Sequence, residues 1–438
     1  MKRKLSLILA LIFCMTMVFG LTACTPKPTE ETPDEPTDQG DDVVVDPDGD
    51  LEEIELTMAS WRADDVAQVT ALLAQYKELV PNVNITFLPI NPPDYNSTLR
   101  LQLDSGTGPD LYYSRSYAPG EELFNAGFSA DCSDIAGLME NFTAESLAPW
   151  QTADGTMFAV PFAAVSHGVY YNKDIFAANE LEVPTTWEEF IAVCEALKAA
   201  DITPLANGVA DEWDILECFF LGMLPSFVGT GDVRAEYETG EKLLNDEAFV
   251  NTYAAMAEAA PYLPEGFEAV TYNDSQALFN TQSAAMFVDG SWTISVYDGV
   301  DFDWGVFAVP GPTEEDTAVC FHPDMAITMN TATAHPDEAK AFLAWLCTQD
   351  GASIASAALP TGFFPMINFP ITLSDEHANE FLALNEGRSV DARFVWPVML
   401  DLYTPMNEAV IGVLTGSMTP QAAADLVENA RVALADAE

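Results

Sequence analysis

From Ile54 onward the chain alternates short β-rich runs with amphipathic helices, and this order constrains the fold more than any other feature. The run Ile54-Glu55-Leu56-Thr57-Met58 is followed by apolar residues at Val66, Val69, Leu72, Leu73 and Tyr76, spaced for one face of a helix, and then by a strand from Val83 to Leu88. A strand, helix, strand succession predicts a parallel, helix-covered sheet whose ligand sites lie in loops at the strand carboxyl ends. Trp61, Arg62 and Asp110 are expected at such ends. The chain beyond Leu51 is long enough for two lobes with separate cores, and no internal repeat is evident.

The first fifty residues are of another kind. Lys2, Arg3 and Lys4 precede an apolar run from Leu5 to Phe19, too short to remain as a membrane-spanning helix, and Leu21-Thr22-Ala23-Cys24 follows. The pattern resembles a bacterial lipobox, which implies that residues 1–23 are a lipoprotein signal peptide and that Cys24 is the site of lipid attachment. An ordinary signal peptide with a chance cysteine is the alternative. Residues 24–53 are rich in Thr, Pro, Glu and Asp, carry Lys27 as their basic residue and lack aromatics. Such a segment cannot bury enough apolar surface to fold, so it reads as an extended acidic tether. Asp46, Asp48 and Asp50 imitate a calcium loop, but Leu51 stands where an EF-hand needs glycine, so no calcium site is assigned.

The formal charge is -53, and loss of the basic leader makes it more negative. Nucleic acid and anionic membrane surfaces are disfavoured as partners, and a neutral or cationic solute is easier to accommodate. Cys132, Cys194, Cys218, Cys320 and Cys347 form an odd set without CxxC spacing, so a dense disulfide framework is not expected. His167, His322, His335 and His377 are scattered without metal-ligand spacing. Neither a metal nor another cofactor is expected.

Six segments carry a family resemblance: Ser105 to Asp110 (SGTGPD), Phe158 to Phe162 with Gly168 to Asp174 (FAVPF, GVYYNKD), Pro184 to Phe190 (PTTWEEF), Ala284 to Trp292 (AAMFVDGSW), Gly305 to Gly311 (GVFAVPG) and His335 to Leu343 (HPDEAKAFL). Each is weak alone. In this order, behind a lipobox, they resemble the family-1 extracellular solute-binding proteins, the sugar receptors of ABC importers. The resemblance implies an α/β, two-lobe periplasmic-binding-protein-like fold, type II-like, each lobe a helix-covered and mainly parallel sheet with hinge crossovers. The expected N-terminal lobe is 54–160 with 309–350, and the C-terminal lobe is 161–308 with 351–438. Crossovers are expected near Pro161-Phe162, near Val309-Pro310 and within Thr348 to Pro360.

A sugar presents flat C–H faces and a rim of hydroxyls, so its pocket needs aromatic platforms and planar charged hydrogen-bonding groups. Trp61, Trp213 and Trp292 meet the first need, with packing in the core as the alternative for each. Trp292 aligns with a stacking aromatic of the family's maltose-binding member, and so does Tyr403, with Arg393 and Trp396 as rivals for the latter role. Arg115 can fork to vicinal hydroxyls or a carboxylate, Arg62 lies beside Trp61, Asp110 lies at a strand end, Glu212 can accept from hydroxyls, and Asp289 can reach the pocket of Trp292 or merely cap its turn. Glu212 could instead serve a helix N-terminus. His167 is either a pocket residue or a core histidine. After Asp110 the chain departs from the maltose-binding pattern with Ser114-Arg115-Ser116-Tyr117, so maltose itself is not the expected ligand.

The resulting expectation is a non-enzymatic, monomeric binding protein that captures a mono- or oligosaccharide and delivers it to ABC permease subunits with their ATPase. It would be extracytoplasmic and anchored through Cys24 to the outer face of a bacterial cell membrane. A receptor for a polyamine or peptide, or an anchored glycosidase, are the alternatives. No nucleophile elbow, P-loop or zinc motif supports the last.

Overall fold

The computed structural model describes residues 52–297 and 299–435. The leader, Cys24 and the tether up to Leu51 lie outside the described residues.

Three strands open the body: β1 (Ile54–Ser60), β2 (Val83–Pro89) and β3 (Leu111–Ser114). β1 pairs in parallel with both of the others, as the strand, helix, strand order requires. The helix Val66–Leu79 connects β1 to β2 and buries Val69, Leu72, Leu73 and Tyr76 of the stripe read from the sequence, while Val66, at its first position, is exposed. Two long strands follow, β4 (Val160–Asn172) and, further on, β8 (Val319–Met329). Between them lie β5 (Thr203–Leu205), β6 (Ala284–Gly290) and β7 (Trp304–Phe307). The short β9 (Phe364–Pro365) and β10 (Val390–Asp391) come last.

The strand order is β2-β1-β3-β8-β4-β6-β5, with β7 and β9 pairing β4 and β10 pairing β8. The parallel pairs of each lobe are therefore joined by antiparallel pairings of β4 and β8. One apolar core contains Leu56, Met58, Leu111, Tyr112, Met325, Ile327, Phe342 and Leu343. The other lobe holds two clusters, one around Phe190, Phe219, Met286 and Met406 and one around Tyr170, Phe287, Tyr297 and Phe381. The Pro-Thr-Thr-Trp-Glu-Glu segment starts the helix Trp187–Ala199 through a capping box between Thr186 and Glu189, and that helix buries Trp187, Phe190, Val193, Cys194 and Leu197.

The passages between lobes differ from the expected ones. Phe162 and Val165 belong to the first core and Val169 to the second, so β4 crosses near Ser166 to Gly168 rather than at Pro161-Phe162. Val309 packs in the second lobe, as does Val319, and the return occurs within β8 before Met325 rather than at Val309-Pro310. The helix Gln349–Ala358 packs Ala352 and Ala355 into the first core, with Phe363 and Ile367. The third passage thus follows Ile367 and leads to the helix Glu376–Ala383, whose Phe381 lies in the second lobe. The β8 passage contains Pro323, paired with Ala164, and the β4/β8 register shifts at Ala163, so the ladder is irregular on the first-lobe side of the crossing.

Candidate functional site

Side chains from both lobes converge where β4 and β8 pass between the cores. On the first-lobe side, Trp61 follows β1 and is only 5% exposed, with Tyr95 and Tyr113 edge-on to its ring at 5.4 and 5.7 Å. Arg115 follows β3, and its guanidinium carbon lies 3.7 Å from the Trp61 ring centroid. The ring face that a sugar would use is thereby occupied by a cation–π contact, so Trp61 serves packing and the support of Arg115. Gly120 permits this turn, because a Cβ there would stand 2.2 Å from the Arg115 carbonyl oxygen. Arg62 forks onto Asp65 with two bonds of 2.7 Å and lies over Phe363.

Asp110 is elsewhere. It precedes β3 and so sits at the amino end of that strand, not at the carboxyl end expected from the sequence. Its carboxylate accepts from the Thr57 amide and hydroxyl, both at 2.8 Å, and from the Thr333 hydroxyl at 2.7 Å. These bonds fasten β1 to the segment after β8 and leave Asp110 no part in the convergence.

The floor is made by the crossing strands. His167 on β4 is buried, with its ring 5.3 Å from those of both Trp292 and His322. His322 and Asp324 on β8 stand beside it, with His322 Nε2 3.6 Å from Asp324 Oδ1, beyond hydrogen-bond distance. Asp324 also faces Arg115 at 4.0 Å. Burial, aided by Arg393, pushes His322 down to about 4 and His167 well below its ordinary value, so both imidazoles are neutral at neutral pH. Burial alone would raise Asp324, but the Arg115 and Arg393 guanidiniums outweigh it and hold its carboxyl well below the usual range.

The second-lobe side centres on Tyr272 and Glu217. Trp292, on the helical turn Ser291–Tyr297 after β6, donates its indole N–H to the Tyr272 hydroxyl at 2.8 Å. Trp213 packs on the other side of Tyr272, ring centroids 3.8 Å apart. Asp289 is fully buried and accepts from Tyr272 at 2.8 Å, from the Cys218 thiol at 3.2 Å and from Thr293. Burial raises it to about 6 against these donors. Asp289 therefore positions the aromatics from below and presents no free oxygen to a solute.

The segment Asp214–Phe220 winds as a π-helix, a form that often marks a functional position. Its first residue, Asp214, accepts from Asn207 and the Gly208 amide just after β5, at 2.8 and 3.1 Å, and from Ser275 of the helix Tyr272–Asn280 at 2.6 Å, and burial raises it to about 7. That anchor aims Glu217 toward Arg393, with which it forms a close ion pair, and toward Tyr403, whose hydroxyl donates to it at 2.7 Å. Arg393 is 5% exposed and lies over both Trp292 and Trp396, 5.6 and 5.3 Å from their centroids. Glu212 is exposed, one residue before Trp213.

Of the sequence-predicted residues, Arg115, His167, Trp213, Trp292, Trp396 and Tyr403 are brought together. Asp289 and Trp61 lie behind them, and Asp110 lies away. Tyr272, Glu217, His322 and Asp324 join the set without a local sequence signal, because helix packing and strand register place them. Half-buried Trp213, Trp292, Trp396 and Tyr403 supply flat apolar faces. The Arg393–Glu217 and Arg115–Asp324 pairs supply planar polar groups. Trp396 Nε1 and Arg393 Nε are buried donors with no partner among the described residues. Such an arrangement suits a polar solute with flat apolar faces. Two hollows, lined by Phe142, Leu346 and Ile367 and by Trp187, Phe227 and Glu258, do not touch these residues.

A family model described as bacterial extracellular solute-binding protein matches residues 59–353. A multiple sugar-binding protein of Streptococcus mutans is 25% identical over 296 residues, covering 64% of this chain and 68% of that protein. A maltotriose-binding protein of Pyrococcus abyssi is 25% identical over 358 residues, covering 80% and 73%. Among solved structures, the bacterial solute receptor AcbH, described as having an exclusive preference for β-D-galactopyranose, superposes with a TM-score of 0.76 at 17% identity, over 87% of this chain and 99% of its own. At that identity the likeness establishes the two-lobe fold.

Proposed function

We propose that this chain, which belongs to the bacterial extracellular solute-binding protein family, captures a carbohydrate between its lobes and hands it to the permease subunits and ATPase of an ABC importer. The observation that carries the reading is the group of half-buried Trp213, Trp292, Trp396 and Tyr403 around the buried Arg393–Glu217 pair, a site with stacking faces beside planar charged groups. Two relatives, a multiple sugar-binding protein and a maltotriose-binding protein, point the same way. Lobe closure over the solute would follow from its differential contacts with the two walls.

Asp324 and Glu217 are already paired with Arg115 and Arg393, so these two carboxylates offer little to the ammonium groups of a polyamine. Attachment through a lipidated Cys24, with the acidic tether holding the body near its permease at the outer face of the membrane, completes the proposal. Thermal-shift measurements on the full chain against mono- and oligosaccharides, uronic acids, polyamines and short peptides test it. A ligand that binds the folded state raises the melting temperature. Stabilisation by one sugar class supports carbohydrate capture; stabilisation by amines or peptides alone replaces that ligand class, and turnover of a glycoside would make the protein an enzyme.

A further inference from the structure

We propose that His167, Cys320 and His322 form a binding site for a thiophilic transition-metal ion, with Zn2+ as its representative. The sequence shows no metal-ligand spacing because the three residues are assembled across a strand pair. In the antiparallel β4/β8 ladder Val165 faces His322 and Ser166 faces Phe321. Extending that register by one residue sets His167 opposite Cys320. Residues two apart on a strand share a face, so all three side chains project to the same side of the sheet. Their ligand atoms lie within 4.8 Å of one another. Tetrahedral zinc bonds of about 2.0–2.3 Å separate neighbouring ligand atoms by roughly 3.5 Å, so binding requires a contraction of about 1 Å, within reach of small χ adjustments.

The second observation is unmet hydrogen bonding. His167 and His322 are each 2% exposed, yet Nε2 of His167 and both ring nitrogens of His322 have no hydrogen-bond partner among the described residues. His167 Nδ1 has only a 3.5 Å approach to the Cys218 carbonyl oxygen. Buried imidazole nitrogens without partners are unfavourable, and a metal ion would take up one lone pair from each ring. Cys320 is a free, fully buried thiol. A donor set of two imidazoles and one thiolate suits Zn2+ or Cu+ and not Mg2+ or Ca2+.

The electrostatics permit it. Burial keeps both histidines in the neutral form that ligates metal. The Cys320 thiol would release its proton to solvent as the sulfur–metal bond forms, so each bound ion liberates one proton there. Arg115 and Arg393 stand nearby but are matched by Asp324 and Glu217, and the new thiolate offsets one charge of the ion. Because β4 and β8 carry the chain between lobes and His167 packs edge-on to Trp292, the ion would clamp the crossing strands beneath the solute site.

The test is titration of the reduced, chelator-treated full chain with Co2+ at neutral pH, in excess Mg2+ to occupy surface carboxylates, followed by Zn2+. One equivalent of Co2+ should produce a thiolate-to-metal charge-transfer band that Zn2+ abolishes by displacement. Cys320→Ser should remove the band, and His322→Gln should weaken metal binding by at least about tenfold. Absence of the band in the wild type, or Zn2+ binding unchanged in Cys320→Ser, overturns the site and leaves the three residues as packing. The wild-type spectrum decides the question even where a variant fails to fold.

Discussion

Trp292 donates its indole N–H to the Tyr272 hydroxyl at 2.8 Å, and that hydroxyl donates onward to Asp289 at 2.8 Å. A buried carboxylate thus fixes the direction of a hydroxyl, which fixes the plane of an aromatic ring at the proposed solute site. Trp292→Ala should weaken binding of the responding sugar by on the order of 2 kcal/mol or more, about thirtyfold. Tyr272→Phe keeps the ring but frees its orientation and should cost about 1 kcal/mol, roughly fivefold. Calorimetric titration measures both; normal affinity in the Trp292 variant would show that the ring does not contact solute.

Gly290 lies directly under the same ring. A Cβ there would come within 2.0 Å of Trp292 Cζ3, while the strand pairing of Gly290 with His167 needs no side chain. Gly290→Ala should displace the indole and reproduce much of the Trp292→Ala loss in a chain that still unfolds cooperatively. Tryptophan fluorescence together with the sugar titration checks this.

Arg393 and Glu217 form a pair that is nearly closed to solvent. Arg393→Met leaves Glu217 a buried and unmatched charge, held only by Tyr403, and should destabilise the fold by about 3–5 kcal/mol. Replacing both by Met should recover a large part of that loss. Urea unfolding of the two variants distinguishes the pair from independent contributions, for which the losses would add.

Asp214 and Asp289 set a pH dependence. Burial raises them to about 7 and about 6 in the folded state, against roughly 3.9 for an unfolded aspartate. The folded state therefore holds these protons to higher pH, and the stability they contribute is complete below about pH 4 and lost as pH rises toward 7. Asp214→Asn lacks this titration, so its stability relative to wild type should increase by on the order of 2–4 kcal/mol between about pH 4 and pH 8. A flat difference across that range would place the Asp214 value near that of a solvated carboxylate.

Cys24→Ala should move the protein from the membrane fraction to the soluble fraction, since two acyl chains give stable anchoring where one is marginal. Cell fractionation measures it. Retention of the variant in the membrane would end the lipid-anchor proposal.

The residues legible in advance were those whose chemistry advertises itself. Trp213, Trp292, Trp396 and Tyr403 stand out as large aromatics near strand or helix ends, and they do converge. Asp110 misled because its place at a strand end was readable but not which end; the pairing of Met58 with Leu111 puts it beside Thr57, one strand-length from the convergence. Tyr272 gives no warning at all, as it begins an ordinary helix, Tyr272–Asn280, capped by Thr271. Its role comes from the neighbours that packing brings to its hydroxyl.

What the sequence determined by itself was periodicity and order. The stripe from Val69 to Tyr76, the capping box at Thr186 and Glu189, and the strand, helix, strand succession follow from local chemistry, and with the family motifs they imply two lobes. Tertiary structure alone decided where the chain crosses between lobes and which polar groups meet there. His167 and His322, or Glu217 and Arg393, are far apart along the chain, and their approach depends on the register of β4 against β8 and on how the π-helix is anchored. Register is set by the summed burial of whole strands, since a one-residue slip would turn every side chain to the other face.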